Sequence, residues 1–339
     1  MDLAELTTLR LGGPARAVID ATTEDELVDV VRIADEAGDA LLLVGGGSNL
    51  VVADEGVDGT VVRVLTRGIS NDVDMCSGAM VTVAAGEPWD GFVAHAVAQD
   101  WVGVEALSGI PGSTGATPVQ NVGAYGQEVA QTIASVRTYD RYDRRIRTFF
   151  AADCGFSYRH SRFKAEPQRY VVLSVTFQLA LGDLGEPVAY AELARALGVA
   201  VGERAPSADV REAVLALRRS KGMVLDTADH DTWSAGSFFT NPLLSPEQAA
   251  ALPEQAPRFG QPDGSVKTSA AWLIDHAGFA RGHGTDAVSL STKHTLALTN
   301  RGGGTTAALL ALAREVRDGV QDTYGITLVN EPVLIGCEL

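Results

Sequence analysis

The stretch Ser108-Gly-Ile-Pro-Gly-Ser-Thr-Gly-Ala-Thr-Pro-Val-Gln-Asn-Val-Gly-Ala-Tyr-Gly126 combines five glycines and two prolines with hydrophobic residues spaced along it, unlike a linker. Glycine lets the backbone approach a ligand closely, and proline fixes the turns. Such a loop presents many backbone N–H groups, which suits a pyrophosphate without any need for Lys or Arg. From this segment alone, a phosphate-binding loop and a long surface loop are equal alternatives.

A second glycine loop, Gly45-Gly-Gly-Ser-Asn49, joins the predicted strands Leu41–Val44 and Leu50–Ala53. A dinucleotide fingerprint needs G-x-G-x-x-G at the start of a helix, and here Leu50 stands where the third glycine belongs. A Walker A loop is also absent from the sequence. The pattern therefore disfavours a Rossmann nicotinamide domain and leaves a phosphate-cradling turn open.

Length and charge limit the class of protein. The 339 residues carry 27 Lys+Arg against 43 Asp+Glu, and the net charge of −16 disfavours binding along a nucleic-acid backbone. The three cysteines are far apart in sequence, which indicates reduced and mostly buried thiols. No N-terminal targeting signal is present, and the apolar runs are too short for a membrane span. These features predict a soluble cytoplasmic protein.

Hydrophobic periodicity predicts alternating helices and strands without repeats. Thr23-Glu-Asp-Glu26 is a capping-box start for a helix that ends at Gly38. Val136–Tyr139 and Ile146–Phe149 are expected to pair as a hairpin. The other predicted strands are 16–21, 60–64, 80–84, 170–181, 288–290 and 295–299, and the other predicted helices are 89–101, 208–221, 267–276 and 305–324.

Several kinds of chemistry lack their motifs. The sequence has no G-x-S-x-G, no H-E-x-x-H and no metal-ligand spacing, so no metal site is expected and His95 is interpreted as a packed or surface residue. Two glycine-rich loops with few lysines favour a large, flat, phosphate-bearing cofactor. The basic and aromatic segment Cys154–Lys164 has two interpretations, a solvated turn or an anion-binding rim.

Six motifs follow one another along nearly the whole chain, and their specificity lies in the series rather than in any single member. The motifs are Gly45–Asn49; Ile110–Gly112 with Pro118–Asn121 and Gly123–Gly126; Tyr158-Arg159 with Ser161–Lys164; Ala235–Pro242; Asp263–Lys267 with Ala271–Asp275; and Asn330-Glu-Pro332. In this order they resemble the UDP-N-acetylenolpyruvoylglucosamine reductase (MurB) family.

The resemblance implies an α+β fold of three domains. Two of them form an FAD-binding module of the covalent-flavin-oxidase-like (PCMH-type) fold, and the third binds the substrate. The implied boundaries are 1–67 with the strand 333–339 returning to it, 68–218, and 219–332. The implied activity is that of UDP-N-acetylmuramate dehydrogenase, in which NADPH reduces the enolpyruvyl sugar nucleotide through FAD during peptidoglycan precursor synthesis. A monomer is expected.

The resemblance also implies roles for three residues. Hydride addition to the vinyl carbon makes an enolate-like dianion, which a guanidinium can stabilise by pairing with both carboxylate oxygens. Arg159 matches that position, Glu331 matches an acid that shares a proton with the same oxygens, and Ser237 matches the proton donor to carbon. From single residues alone, structural roles are the commoner explanation for each.

Binding residues follow by the same matching. The implied cofactor contacts are Val44, Gly45, Gly46, Gly47, Ser48, Asn49, Ile110, Pro111, Gly112, Ser113, Gly115, Ala116, Pro118, Gln120, Asn121, Gly123, Ala124, Tyr125, Gly126 and Arg218. The implied substrate contacts are Tyr158, Tyr190, Lys221, Asn241, Lys267 and His276, with Tyr190 on a loop that covers the diphosphate in one subgroup. At Lys221 and its neighbours Arg218 and Arg219, stabilisation of a helix C-terminus is the alternative.

The chain departs from the family pattern at Thr7-Thr8-Leu9, His160 and His276. Two other functions remain alternatives. An FAD oxidase of the same fold is disfavoured because neither glycine loop carries a histidine for a covalent flavin link. A catalytically inactive nucleotide-binding protein is disfavoured by the presence of Arg159, Ser237 and Glu331.

Overall fold

The computed structural model describes all 339 residues, which form eight α-helices and eighteen strands. The helices are α1 (Glu24–Ala37), α2 (Trp89–Ala98), α3 (Arg162–Ala165), α4 (Ala191–Leu197), α5 (Ser207–Ser220), α6 (Pro246–Ala251), α7 (Ala270–His276) and α8 (Thr306–Tyr324). The strands are β1 (Ala15–Ala21), β2 (Leu41–Val44), β3 (Leu50–Val52), β4 (Val57–Val64), β5 (Ile69–Asp74), β6 (Gly78–Ala84), β7 (Trp101–Val102), β8 (Gly123–Ala124), β9 (Gln127–Glu128), β10 (Ile133–Asp140), β11 (Arg145–Phe150), β12 (Tyr170–Leu181), β13 (Leu243–Leu244), β14 (Phe259–Gly260), β15 (Val266–Lys267), β16 (Val288–Leu290), β17 (Leu298–Asn300) and β18 (Val333–Ile335). None of the helices combines the length and apolar character that a bilayer crossing requires.

The chain divides into two compact units, each built from separate segments. The first unit contains residues 1–15, 47–57 and 225–339, and the second contains 16–46 and 58–224. The three-domain boundaries implied by the resemblance remain a prediction, because the division into two units does not test them.

The second unit is organised by two sheets. One has the strand order β1-β4-β2, and the other has the order β11-β10-β12-β6-β5 with β7 added on β12. The twelve-residue strand β12 pairs with both β10 and β6, and its residues alternate toward a core that includes Trp89, Phe92 and Phe177. The aromatic rings of Phe92 and Phe177 stack with centroids 5.0 Å apart, so α2 is fixed against this sheet.

The first unit is built around α8 and short strand pairs. Its core contains six buried hydrophobic residues of α8 together with Leu9, Leu11 and Val51 from the N-terminal segments. The C-terminal strand β18 runs parallel to β3, with Val333 opposite Leu50. Residues from all three segments are therefore needed to complete one core.

Most of the predicted elements have their expected type. The Thr23 hydroxyl and Glu26 carboxylate form a reciprocal capping box, and Gly38 ends α1 in the left-handed region with φ 66°. The predicted hairpin is confirmed, because Val136 pairs with Phe149 and Tyr139 with Ile146. The glycine loop 45–49 follows β2 and precedes β3, as the pattern indicated.

Some predicted boundaries are wrong. The helix predicted for 267–276 starts at Ala270, because Val266 and Lys267 pair as a strand with Leu244 and Leu243. The helix predicted for 89–101 ends at Ala98, and Trp101 pairs with Leu181 instead. In both places, hydrogen bonds to a distant strand replace a continuation of the helix.

Two smaller expectations are also corrected. The strand predicted for 295–299 spans Leu298–Asn300. All three cysteines are free thiols, but Cys76 is exposed and only Cys154 is fully buried. Burial raises the pKa of the Cys154 thiol to about 12, so this thiol is protonated and unreactive at neutral pH.

Candidate active site

In the second unit, the two glycine loops lie against each other. A Cβ built on Gly45 would lie 2.1 Å from the Ser113 hydroxyl oxygen, and one on Gly46 would lie 2.6 Å from the Gly112 Cα. A real Cβ does not approach main-chain atoms this closely, so the contact requires glycine at Gly46, whereas the hydroxyl of Ser113 can rotate away from a side chain at position 45. The sequence motifs around residues 45 and 112 are therefore joined by a main-chain contact at which Gly46 is exposed and Gly112 is half-buried, and a main-chain surface of this kind suits a phosphate-bearing ligand.

Arg218 lies beside the start of the second loop. A Cβ on Gly109 would lie 3.5 Å from its Nε, and its Nη2 donates a hydrogen bond of 2.8 Å to the Met223 carbonyl. The Nε itself is buried without a hydrogen-bond partner. Burial lowers the pKa of the Arg218 guanidinium to about 10, so it stays charged at neutral pH.

An unpaired buried guanidinium nitrogen is costly unless a ligand satisfies it. The Nε of Arg218 can donate a hydrogen bond to an anionic diphosphate, and the main chains of Gly46 and Gly112 meet without intervening side chains. Both features fit a cofactor with a diphosphate, such as FAD. The helix C-terminus does not by itself account for Arg218, because an exposed cation would interact with the dipole equally well.

The segment around Arg159 is held by the second glycine loop. Arg159 Nη2 donates to the Gly123 carbonyl at 2.9 Å, and Nη1 donates to the Asn121 carbonyl at 3.3 Å. The guanidinium carbon lies 5.3 Å from the Tyr158 ring centroid, and Lys164 Nζ donates to the Arg159 carbonyl at 3.1 Å. Two motifs of the predicted series thus meet, and the basic segment is not a freely solvated turn.

In the first unit, the structure brings Ser237 and Glu331 onto neighbouring segments. The Glu331 N–H donates to the Phe238 carbonyl at 2.8 Å, and Phe239 forms an isolated antiparallel β-bridge with Asn330. Asn49, from the end of the first glycine loop, donates through its side chain to the Glu331 carbonyl at 3.4 Å. Three separate sequence motifs therefore meet at Glu331.

The remaining predicted substrate contacts fall into separate places. Asn241 accepts a hydrogen bond from the Ala270 N–H at 3.0 Å, and Lys267 pairs with Leu243, so these two lie at the N-terminal end of α7. His276 is at the other end of this helix, where it stacks on Trp272 with centroids 3.9 Å apart. Tyr190 and Lys221 belong to the second unit, near Tyr125.

The other predicted cofactor contacts are distributed along the same loops. In the second unit, Val44, Ser113, Gly115, Pro118 and Asn121 are buried, and Ala116 and Gly126 are exposed. Partly buried in that unit are Ile110, Pro111, Gln120, Ala124 and Tyr125. Gly47 and Ser48 belong to the first unit, where a Cβ on Gly47 would lie 1.8 Å from the Leu6 carbonyl oxygen.

Sequence reasoning missed two acidic residues near these positions. Asp90 accepts a hydrogen bond of 2.6 Å from the Gly109 N–H and pairs with Arg211 at 2.7 Å. Burial alone would raise the pKa of Asp90, but the hydrogen bonds from Arg211 and Gly109 overcome this effect and lower it. Glu192 pairs with Lys221. Both lie in ordinary helical patterns, so no motif distinguishes them in the sequence.

Two family models match the chain in order. Residues 15–148 match an FAD binding domain, and residues 227–335 match the C-terminal domain of UDP-N-acetylenolpyruvoylglucosamine reductase. The UDP-N-acetylenolpyruvoylglucosamine reductase of Cutibacterium acnes is 63% identical over 340 residues, covering 99% of this chain and 90% of that protein. The chain belongs to the UDP-N-acetylenolpyruvoylglucosamine reductase family.

Other comparisons agree with this membership. The reductase of the same name from Streptomyces coelicolor is 57% identical over 348 residues, covering 99% of this chain and 90% of that protein. The crystal structure of the reductase (MurB) from Thermus caldophilus has the same fold, with a TM-score of 0.65 at 24% identity over 99% of this chain and 97% of that one.

As a UDP-N-acetylenolpyruvoylglucosamine reductase family member, the chain is an FAD-dependent oxidoreductase with the mixed α and β FAD-binding fold expected from the motifs. The family uses FAD with NADPH as the reductant. The surface formed by the two glycine loops lies within the FAD-binding match, since both loops fall between residues 15 and 148. No group of three His, Cys, Asp or Glu side chains is arranged to hold a metal ion.

Proposed function

We propose that this protein reduces UDP-N-acetyl-3-O-(1-carboxyvinyl)-glucosamine to UDP-N-acetylmuramate with NADPH, as a cytoplasmic monomer in peptidoglycan precursor synthesis. The observation that carries the proposal is 63% identity to a reductase of this name along 99% of the chain. The aligned region contains every motif from Gly45 to Pro332, rather than the cofactor domain alone. It therefore supports the substrate as well as the redox chemistry.

FAD, when bound, supplies the hydride that it takes from NADPH. The cofactor's phosphates would be held by the glycine loops and by Arg218, whose buried Nε lacks a partner in the protein. Arg159 would pair with the substrate carboxylate as negative charge develops there. Its guanidinium is already oriented by the carbonyls of Asn121 and Gly123, so less reorganisation is needed in the reaction.

Glu331 and Ser237 would complete the reaction as acids. Glu331 would share a proton with the same carboxylate, and Ser237 would donate the proton that the adjacent carbon requires. A serine hydroxyl is a weak acid in water, so this transfer needs a strongly basic carbanion in a site without water. The pairing of the segments 238–239 and 330–331 supports a joint role for these residues.

The substrate's diphosphate would contact Tyr190 and Lys221, and its uridine side would contact Asn241 with help from Lys267. A lysine and a tyrosine hydroxyl on two phosphates form charge-assisted hydrogen bonds. Tyr158 would complete this set. His276 would contribute least, because it stacks on Trp272 at the far end of α7 from Asn241.

The test separates the two half-reactions of a Ser237→Ala variant. We expect NADPH to bleach the bound flavin at the normal rate, and reoxidation by the enolpyruvyl substrate to slow by about 100- to 10,000-fold, the usual contribution of a general acid. Stopped-flow absorbance measures both steps. Ser220→Ala, an exposed serine at the end of α5, is the control and should behave as wild type.

Two results would contradict the proposal at different levels. Normal reoxidation of Ser237→Ala would remove Ser237 from the role of proton donor. Failure of the wild-type flavin to be reoxidised by the enolpyruvyl substrate would reject the proposed reaction itself.

A further inference from the structure

Glu192 is a carboxylate that no step of the proposed reaction uses, and it lies against a proposed substrate contact. Its Oε2 atom is 2.5 Å from Lys221 Nζ, in an ion pair that joins the start of α4 to the residue after α5. The two side chains remain 40% and 30% exposed. A ligand can therefore reach the pair from solvent.

The same lysine is connected to Tyr190 through an aromatic ring. Lys221 Nζ lies 5.6 Å from the Tyr125 ring centroid, and the Tyr125 and Tyr190 rings meet edge to face with centroids 6.0 Å apart. Burial raises the pKa of Tyr125, so its hydroxyl is neutral at pH 7 and is not a second anion for Lys221. Glu192 is thus the anion bound to this ammonium.

Glu192 follows Tyr190 by two residues, so one ion pair holds both the lysine and the segment that carries Tyr190. Tyr190 itself is 53% exposed, with the Tyr125 ring as its aromatic neighbour. A cation–π contact and a half-exposed ion pair each contribute about 1 kcal/mol or less. The arrangement is therefore stable enough to order the segment and weak enough to be displaced.

A diphosphate that binds Lys221 would compete with the carboxylate. The Coulomb energy scales with the product of the charges, so a diphosphate is attracted more strongly to the ammonium than the single charge of Glu192 is. Breaking the existing pair lowers the net gain of any ligand that takes the place of Glu192.

We propose that Glu192 is a displaceable substitute for the substrate's diphosphate, which keeps Lys221 and the Tyr190 segment ordered in the free enzyme. This inference rests on the proposed function, because Lys221 and Tyr190 are substrate contacts only in that proposal. Glu192 is then a positioning residue that acts through Lys221, not a catalytic one.

The test measures binding of UDP to the FAD-loaded protein by calorimetry. We expect Glu192→Gln to bind UDP about two- to fivefold more tightly than wild type, the usual strength of an exposed ion pair. Glu186→Gln is the matched control, because Glu186 is 42% exposed but pairs with Arg204 instead of Lys221, and it should bind UDP as wild type does.

A double-mutant cycle distinguishes displacement from general repulsion. In a Lys221→Met background, Glu192→Gln should change UDP affinity by less than the error of the measurement, because the pair no longer exists. A gain that persists in that background would overturn the inference. So would a Glu192→Gln variant that binds like Glu186→Gln.

Hydrogen exchange gives an independent result on the Tyr190 segment. In the absence of ligand, amides of residues 190–197 should exchange faster in Glu192→Gln than in Glu186→Gln, and equal rates would contradict an ordering role. If wild-type protein binds neither UDP nor the enolpyruvyl substrate, the proposed function fails and this inference fails with it. If wild type binds both and Glu192→Gln matches its control, only the inference fails.

Discussion

Three residues in the candidate site adopt a backbone conformation that non-glycine residues avoid. Asn121, Tyr125 and Arg159 have φ values of 48°, 49° and 53°. Such conformations cost about 1–3 kcal/mol each and persist only where the surroundings enforce them. Asn121 is held by hydrogen bonds to Glu128 at 2.8 Å and to the Ser157 carbonyl at 3.1 Å, and Arg159 donates to the Asn121 carbonyl, so these two strained residues are joined into one network. This strain supports a functional role for the Arg159 segment.

A different residue, Asp140, contributes to the stability of the protein against acid. Asp140 is fully buried and receives hydrogen bonds from Arg169 Nε at 3.0 Å and from the amides of Tyr142 and Asp143. Burial alone would raise its pKa, but the Arg169 guanidinium and the two amides overcome this effect and lower it. Since the folded pKa lies below the unfolded one, the stabilisation is present above about pH 4 and is lost as the pH falls through the folded value.

We expect Asp140→Asn to lower the free energy of unfolding at pH 7 by about 2–4 kcal/mol, because it leaves Arg169 without its buried partner. The same variant should show a smaller loss of stability between pH 5 and pH 2 than wild type, which urea titrations at several pH values would measure. Asp72→Asn, on the exposed face of β5, is the control and should change little. Equal stability of the Asp140 and Asp72 variants at pH 7 would contradict the prediction.

At the scale of elements, the proposed FAD surface requires both glycine loops. Each alone is consistent with an ordinary surface loop, and their contact through Gly46 and Gly112 produces the main-chain surface proposed for FAD. Because Gly46 does not have a positive φ, the requirement for glycine there is purely a matter of space.

Gly46→Ala therefore isolates that contact. The added methyl group would lie 2.6 Å from the Gly112 Cα, and backbone cannot move aside as a side chain can. Overpacking costs about 1–3 kcal/mol, so we expect FAD affinity to fall by about 5- to 150-fold, measured by titrating flavin-stripped protein. Gly91→Ala in α2 is the control, since its nearest neighbour is 3.7 Å away and alanine favours a helix. Unchanged FAD affinity in Gly46→Ala would show that this contact is not part of the cofactor site.

At the scale of the whole molecule, a compact unit is not one continuous stretch of the chain. The residues matched by the reductase C-terminal family model, 227–335, form most of the first unit but not all of its core. Leu9, Leu11 and Val51 lie in that core, and β18 has β3 as its strand partner. Asp54 also accepts hydrogen bonds from the first N–H groups of α8 at 2.7 and 2.9 Å.

A fragment of residues 225–339 should accordingly fail to fold alone. It would expose the surface that Leu9, Leu11 and Val51 cover and would leave β18 unpaired. We expect it to lack a cooperative thermal transition in near-ultraviolet circular dichroism. The control is coexpression with residues 1–224, which supplies the missing segments. A cooperative transition in the isolated fragment would show that its core is self-sufficient.

The sequence by itself determined the local elements and the order of the motifs. The capping box at Thr23, the stop at Gly38 and the alternation in Val136–Tyr139 each act over a few residues, so their physical causes are readable in the chain. The series of six motifs likewise identified the family, which the comparisons confirm.

Only the tertiary structure decided which distant residues meet. Lys267 became a strand residue because Leu243 offers it a ladder partner, and Arg218 became a partly buried cation because it packs beside Gly109 and donates to the Met223 carbonyl. The pair of Glu192 with Lys221 has no sequence signal at all, since it depends on how α4 and α5 pack. Contacts across long sequence separations are set by packing of the whole chain, and a local pattern carries no information about them.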